Sequence, residues 1–311
     1  LKNLQLRSHT LADIDVQVAK VLRGIGNPEP PLDLLSVREL LRLDKHYYTT
    51  ADAGLLSQTV SRMKIAGKQV LLRPTVLADA IRKLSLKALY LPDQKRIYLD
   101  GTLPVLKHRW NETHEIGHSI IPWHADMMLG DDEQTLTPLC HAMIEAEANY
   151  AAGQLLFMQG RFGDEANASP PSLVHIQKLK KCFGNTLTST LWRFVERAHA
   201  NVPMVGLVTV HPHPSRRPEG FDATEPCRYC IESPLFAASF RSVTESHLFS
   251  LASTYCGAQR GGFLGEAEVI LTDDVGEQHL FHFQTFFNRY DALTLAVWRR
   301  KWSFSIPVAN H

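Results

Sequence analysis

The chain has 311 residues, 44% of them apolar and 21% charged, with a net charge of +1. That is enough for two or three hydrophobic cores. The balanced charge leaves nucleic acid open, since one basic helix suffices for it, whereas the longest apolar runs fall short of the roughly 18 residues of a membrane span. Five cysteines, odd in number and unevenly spaced, exclude the framework of a small disulfide-rich domain. The first eight residues carry no apolar segment of the signal-peptide kind. The expected setting is therefore the reducing cytoplasm, without a membrane partner.

The predicted elements begin with short helices broken by turns. Helical periodicity covers 12–22 and 37–43, with Gly24 to Pro28 and Pro30-Pro31 between them, and further helices are expected at 55–65 and 75–84. Two β-prone runs, 88–91 and 96–100, flank a polar turn and predict a hairpin. Pro104 opens a helix that reaches Ile121, where Pro122 would remove a helical hydrogen bond. A polar, acidic loop over 124–137 leads to Thr137-Pro138, an N-cap followed by proline at the first helical position. The next helix, from Leu139 to about Met158, is rich in alanine, and its small side chains invite close approach by a neighbouring helix. Residues 160–171 read as a linker. Two amphipathic helices, 173–183 and 187–198, then flank Gly184-Asn185. They suit a helix-turn-helix that contacts DNA and equally suit any helical hairpin. From Met204 the texture becomes β-rich, with strands at 205–210, 267–271, 278–283 and 293–299. The expected class is α+β, mostly helical in its first part and β-rich in its last. Its divisions are 1–165, the helical hairpin 172–199, and a C-terminal α+β domain over 204–311.

One run implies a reaction. His114-Glu115-Ile116-Gly117-His118 is H-E-x-x-H, and on a helix residues four apart lie on one face. His114 and His118 therefore offer two imidazoles to one metal, and Glu115 stands at the rim as a general base. A catalytic zinc needs a third protein ligand, which the alanine-rich helix supplies in Glu145 or Glu147. These diverge around the helix, so only one faces the metal, and His141, one turn before Glu145, is a rival. Asn149 is placed to orient a ligand imidazole. Gly117 allows a neighbouring backbone to come close.

His114-Glu115-x-x-His118 followed on the next helix by Glu145-Ala146-Glu147-Ala148-Asn149-Tyr150-Ala151 resembles the ImmA/IrrE family of metallopeptidases. The resemblance implies a thermolysin-like core, the ligands His114, His118 and Glu145, and Glu115 as base. It also implies a zinc-dependent endopeptidase of gluzincin type that cleaves a helix-turn-helix transcriptional repressor in stress or mobile-element regulation. Some members add a helix-turn-helix and a GAF-like sensor domain, places that 172–199 and 204–311 would fill. The family often carries an apolar run ending in histidine after the second ligand. Here the sequence is Ser119-Ile120-Ile121-Pro122-Trp123-His124, so that role passes to His124. His124 and Tyr150 are the candidates to stabilise an oxyanion. The non-enzymatic alternative is a metal-containing regulator that binds DNA or a repressor. A His2Glu set accommodates Zn2+ and Mn2+ alike. Cys227-x-x-Cys230, with His211 and His213 upstream, permits a second, structural Zn2+ and equally an ordinary loop. Cys140, Cys182 and Cys256 read as buried small hydrophobes.

Overall fold

The computed structural model describes residues 6–48, 88–91, 95–103, 105–124 and 138–302. The helices expected at 55–65 and 75–84 and the segment 125–137 lie outside these residues. The chain divides into two compact units. One comprises Leu1–Gln159 with Phe183–Asn185, the other Gly160–Cys182 with Thr186–His311.

In the first unit, α1 (Ser8–Gly24) buries Ile14, Val18, Val21 and Leu22 along one stripe, at the spacing that brings residues onto one helical face. Helix α2 (Leu34–Leu41) starts at Asp33, whose carboxylate accepts the backbone N–H groups of Leu35 and Ser36 at 3.1 and 3.0 Å. These would otherwise be unpaired donors of the first turn. Three strands follow, β1 (Asp44–Tyr48), β2 (Ala88–Leu91) and β3 (Arg96–Asp100), in the order β1-β3-β2. Strands β2 and β3 form the antiparallel pair expected from their sequence, whereas the parallel pairing of β1 with β3 was not expected. A five-residue strand rich in polar side chains has too little apolar alternation to announce itself.

Helix α3 (Val105–Ile120) carries the H-E-x-x-H run and packs on β2 and β3 on one side and on α4 (Pro138–Leu156) on the other. Pro138 stands at the first helical position, as expected. The α3–α4 contact is close because of Gly117. A Cβ there would lie 2.7 Å from the Ala148 carbonyl oxygen and 3.3 Å from the Ala151 Cβ. Ala148, Ala151, Ala152 and Leu155 are fully buried, so the alanines of α4 admit its neighbours as their size suggested. Glu112 ties α3 to α2 and β1 by accepting from Arg38 Nε at 2.7 Å and Lys45 Nζ at 3.1 Å.

The second unit opens with a helix where the sequence suggested a linker. Helix α5 (Gly160–Asn167) buries Phe162 and Ala166, four residues apart, and these two side chains hold a glycine-containing segment helical. Helices α6 (Leu173–Phe183) and α7 (Leu187–Arg197) follow around Gly184 and Asn185, which belong to the first unit. Helix α7 lays Leu187, Thr190, Leu191, Phe194 and Val195 inward. It packs on β4 (Met204–Thr209) and β5 (Cys227–Glu232), and a Cβ on Gly206 of β4 would meet Val195 at 3.1 Å and Leu191 at 3.4 Å.

Helices α8 (Pro234–Ser239) and α9 (Glu245–Tyr255) lead to β6 (Gly262–Thr272), β7 (Gln278–Phe287) and β8 (Ala292–Lys301). The five strands form an antiparallel sheet in the order β5-β4-β8-β7-β6. Its core gathers Val205, Leu207, Phe236, Phe240, Phe281 and Phe283. The whole is α+β, with helices and a small sheet first and a five-stranded antiparallel sheet last. No helix among the described residues is long and apolar enough to cross a membrane.

Candidate metal centre

Two helices build the centre, each by its own periodicity. On α3 the four-residue spacing stacks His114 over His118, their ring centroids 4.8 Å apart. Across the Gly117 contact, α4 presents Glu145. The His114 Nε2 lies 3.1 Å from Glu145 Oε2, the His118 Nε2 lies 3.5 Å from Glu145 Oε1, and the two Nε2 atoms are 3.2 Å apart. These edges bracket the separation of about 3.3 Å that two ligand atoms take around a tetrahedral ion with bonds of about 2.0–2.1 Å. Glu147, two residues on, turns away to other partners. The side chain of His141, the rival ligand, lies outside the described residues.

The far sides of the two imidazoles fix their tautomers. His114 Nδ1 sits 3.1 Å from Asn149 Oδ1, an acceptor, so Nδ1 carries the proton and donates it. His118 Nδ1 faces His124 Nδ1 at 3.0 Å, and His124 Nε2 faces Glu147 Oε2 at 2.8 Å. In the tautomer whose Nε2–H donates to that carboxylate, His124 is an acceptor at Nδ1. His118 Nδ1 then donates to it. Trp123 Nε1 donates to the same Glu147 oxygen at 2.6 Å. By this chain both Nε2 atoms bear lone pairs, and both aim at each other and at the Glu145 carboxylate. In this tautomer set three acceptors converge, an arrangement that a cation resolves.

Without a cation the three groups share protons among themselves, and their pKa values are set by that pairing. Burial, opposed by the hydrogen bond to Glu145, lowers the His118 pKa to about 4, so its ring is neutral. Burial alone would raise the Glu145 pKa, but hydrogen bonds from His114 and His118 carry it far below the usual carboxylate range. For His114, burial acts downward, and Glu145 and Glu115 outweigh it and raise the pKa. Glu147 is likewise drawn below its ordinary value, its burial being outweighed by His124 and Trp123. Glu115 is buried, and burial pushes its pKa up to about 7 against the opposing charge of His114. The Tyr90 backbone on β2 hydrogen-bonds to its carboxylate.

The structure thus brings His114, His118 and Glu145 together, their donor atoms lying within 4.8 Å of one another. His124 is fully buried behind His118, with both ring nitrogens engaged. Tyr150 turns toward α1, where its hydroxyl donates to Asp15 at 3.0 Å and accepts from Gln154 at 2.7 Å. The partnership of Glu147 and Trp123 with His124 was not foreseen. Its only sequence signal is the second glutamate of Glu145-Ala146-Glu147, which the helix turns to a different face.

The alternative of a second zinc at Cys227, Cys230, His211 and His213 is not realised. Among the described residues, these four form no group with converging donors. Cys227 and Cys230 lie on a strand, and Cys227 is part of the sheet core. Burial pushes the Cys230 thiol up to about 12, so it is protonated in the metal-free protein. His211 Nε2 bonds to the Gln259 carbonyl at 2.9 Å, and His213 Nδ1 accepts from Ser215. Of the smaller cysteines, Cys256 is buried as expected, while Cys182 is half-buried. A different group, Asp273, Glu277 and His279, does gather in the β6–β7 hairpin.

No protein-family model matches the chain, and no curated protein matches it. Among solved structures, a Mycobacterium tuberculosis transcriptional regulator is similar at 12% identity and a TM-score of 0.47, over 95% of this chain and 93% of that one.

Proposed function

We propose that the protein is a metal-containing regulator whose first unit holds one divalent cation, Zn2+ or Mn2+, on His114, His118 and Glu145. One observation carries this reading: two imidazole Nε2 atoms and a carboxylate converge within 3.1–3.5 Å, while Asn149 Oδ1 and His124 Nδ1 stand at the far Nδ1 atoms as acceptors for their protons. Support for a binding role over turnover comes from the two side chains suited to an oxyanion. His124 is spent on orienting His118, and Tyr150 is spent on Asp15. His124 is accordingly a positioning residue, with Glu147 and Trp123 behind it. The partner in this reading is a regulatory protein, such as a helix-turn-helix repressor. DNA is a weaker candidate because α7, the second helix of the supposed helix-turn-helix, serves as a core helix of the sheet unit.

The second reading, a gluzincin-like endopeptidase acting on such a repressor, is favoured by Glu115. A bound divalent cation would supply Lewis acidity toward water and a peptide carbonyl. Glu115 would take the proton from water and return it to the leaving amine, and a pKa near 7 suits both transfers. The thermolysin-like and GAF-like identities of the two units belong to this reading. Full-length protein and Glu115→Gln, both loaded with zinc, decide between the readings when incubated with a fluorogenic peptide library. The regulator reading expects equal metal content and equally absent cleavage. Cleavage by the parent chain that disappears in Glu115→Gln would establish the peptidase and overturn it.

A further inference from the structure

A cleft of about 990 Å³ opens in the second unit where β6 begins and β7 ends. Its walls come from α6, the segment after β4, the approach to β6 and the β7–β8 turn. They carry four cations, Lys180, Arg216, Arg260 and Arg289, beside the half-buried Phe286 and Phe287, and no Asp or Glu. None of the four cations is ion-paired with a carboxylate among the described residues. Four positive charges around one opening without a counter-charge give a local positive potential that attracts an anion.

The segments that carry the three arginines, all of them exposed, are fixed by hydrogen bonds. The Arg216 Nε donates to the Ala258 carbonyl at 2.9 Å and leaves the outer edge of its guanidinium open. His211, packed edge-on to Phe287 at 4.7 Å, bonds to the Gln259 carbonyl at 2.9 Å. Together they pin the segment that carries Arg260. Arg289 sits at φ 82°, a conformation that favours glycine, and is locked there by Asn288, whose side chain accepts from the backbones of Tyr290 and Asp291 at 2.9 and 2.8 Å. A strained arginine on the rim of a cationic cleft fits a binding role.

We infer that this cleft binds a small molecule carrying two or more phosphates next to an aromatic or apolar group, the chemistry of a nucleoside diphosphate. Guanidinium forks match phosphate oxygens in pairs, and several cations suit several negative charges. Phe286 and Phe287 offer a face for the uncharged part. The volume is that of a small-molecule site. This site lies entirely within the second unit and stands whether or not the metal reading holds.

The test is calorimetric titration of the full chain with ADP, and separately with inorganic pyrophosphate, at low and at physiological salt. The variants are Arg260→Ala combined with Arg289→Asn, since asparagine tolerates positive φ, and Arg299→Ala, an exposed arginine outside the cleft. Circular dichroism confirms that each is folded. The expected result is one saturable ADP site, weakened by salt, at least tenfold weaker in the double variant and unchanged in Arg299→Ala and in Glu145→Ala. Three results would overturn the proposal: no saturable binding of either probe, binding unaffected by the double variant, or Arg260- and Arg289-dependent binding of a short DNA duplex without binding of ADP.

Discussion

Two clusters of histidine and carboxylate in this molecule contain the same chemical groups and arrive at opposite states. In the β6–β7 hairpin, Trp298 Nε1 donates to His279 Nδ1 at 3.0 Å, so the His279 proton resides on Nε2 and is donated to Asp273 Oδ2 at 3.0 Å. Asp273 Oδ1 accepts from the backbones of Val275 and Glu277, and Glu277 is paired with Lys301. Every donor meets an acceptor, and the cluster is a brace for a turn. In the α3–α4 centre the far nitrogens of His114 and His118 face acceptors instead. Their near nitrogens are therefore acceptors too, aimed at a third. The residue types do not distinguish the two clusters. The group on the other side of each imidazole does.

The largest expected effect breaks the comparison directly. Glu145→Ala removes one of three ligands and should lower metal affinity by more than about 100-fold, since even the supporting partners of ligands are worth about 10–100-fold. Asp273→Ala, Cys227→Ser and Cys230→Ser should leave bound metal unchanged, and elemental analysis of dialysed protein reads all four. A sharper version concerns the orienting partners. Asn149→Ala and His124→Ala each free an imidazole from its tautomer and should weaken the metal by about 10–100-fold, measured by competition with a zinc chelator.

Stability supplies the next contrast, between the faces of the two helices. Gly117→Ala forces a Cβ to within 2.7 Å of a carbonyl oxygen. Overpacking of this kind costs about 1–3 kcal/mol, only partly offset by a gain of about 1 kcal/mol in helix propensity. The variant should melt earlier. Gly153→Ala on α4 meets nothing within 4 Å and should melt later, by the propensity gain alone.

The smallest effect lies at Asp33. Hydrogen bonds from Ser36, chiefly its hydroxyl and then its N–H, hold the Asp33 pKa below its ordinary value of 3.8. Its folded pKa is the lower one, so its contribution is present above pH 3.8 and is lost as pH falls through the folded value. Asp33→Ala should cost about 1 kcal/mol at neutral pH. Denaturant unfolding at pH 7 and at pH 2.5 should show the gap between variant and parent shrinking in acid.

The convergence of His114, His118 and Glu145 was legible because it obeys local rules. Two histidines four apart require only a helix, and Pro122 and Pro138 mark the end of the first helix and the start of the second. Gly117 was legible for the same reason, as a costly residue in mid-helix. What could not be read depends on partners distant in the chain. Tyr150 is claimed by Asp15, 135 residues away, and α7 by strands that come later in sequence. Strand β1 hid because its pairing with β3, and not its own pattern, makes it a strand. Cys227-x-x-Cys230 left a metal site and an ordinary loop open, and the structure places both cysteines on a strand. The burial of Cys227 in a phenylalanine-rich core separates the two readings, and that burial is a property of the assembled sheet.

X-ray absorption on the full chain, loaded with one equivalent of zinc, tests the central claim most directly. The account predicts a single site with two imidazole nitrogens and carboxylate oxygen at about 2.0–2.2 Å and no sulfur, lost in Glu145→Ala. Sulfur at about 2.3 Å, or a spectrum unchanged by Glu145→Ala, would contradict it.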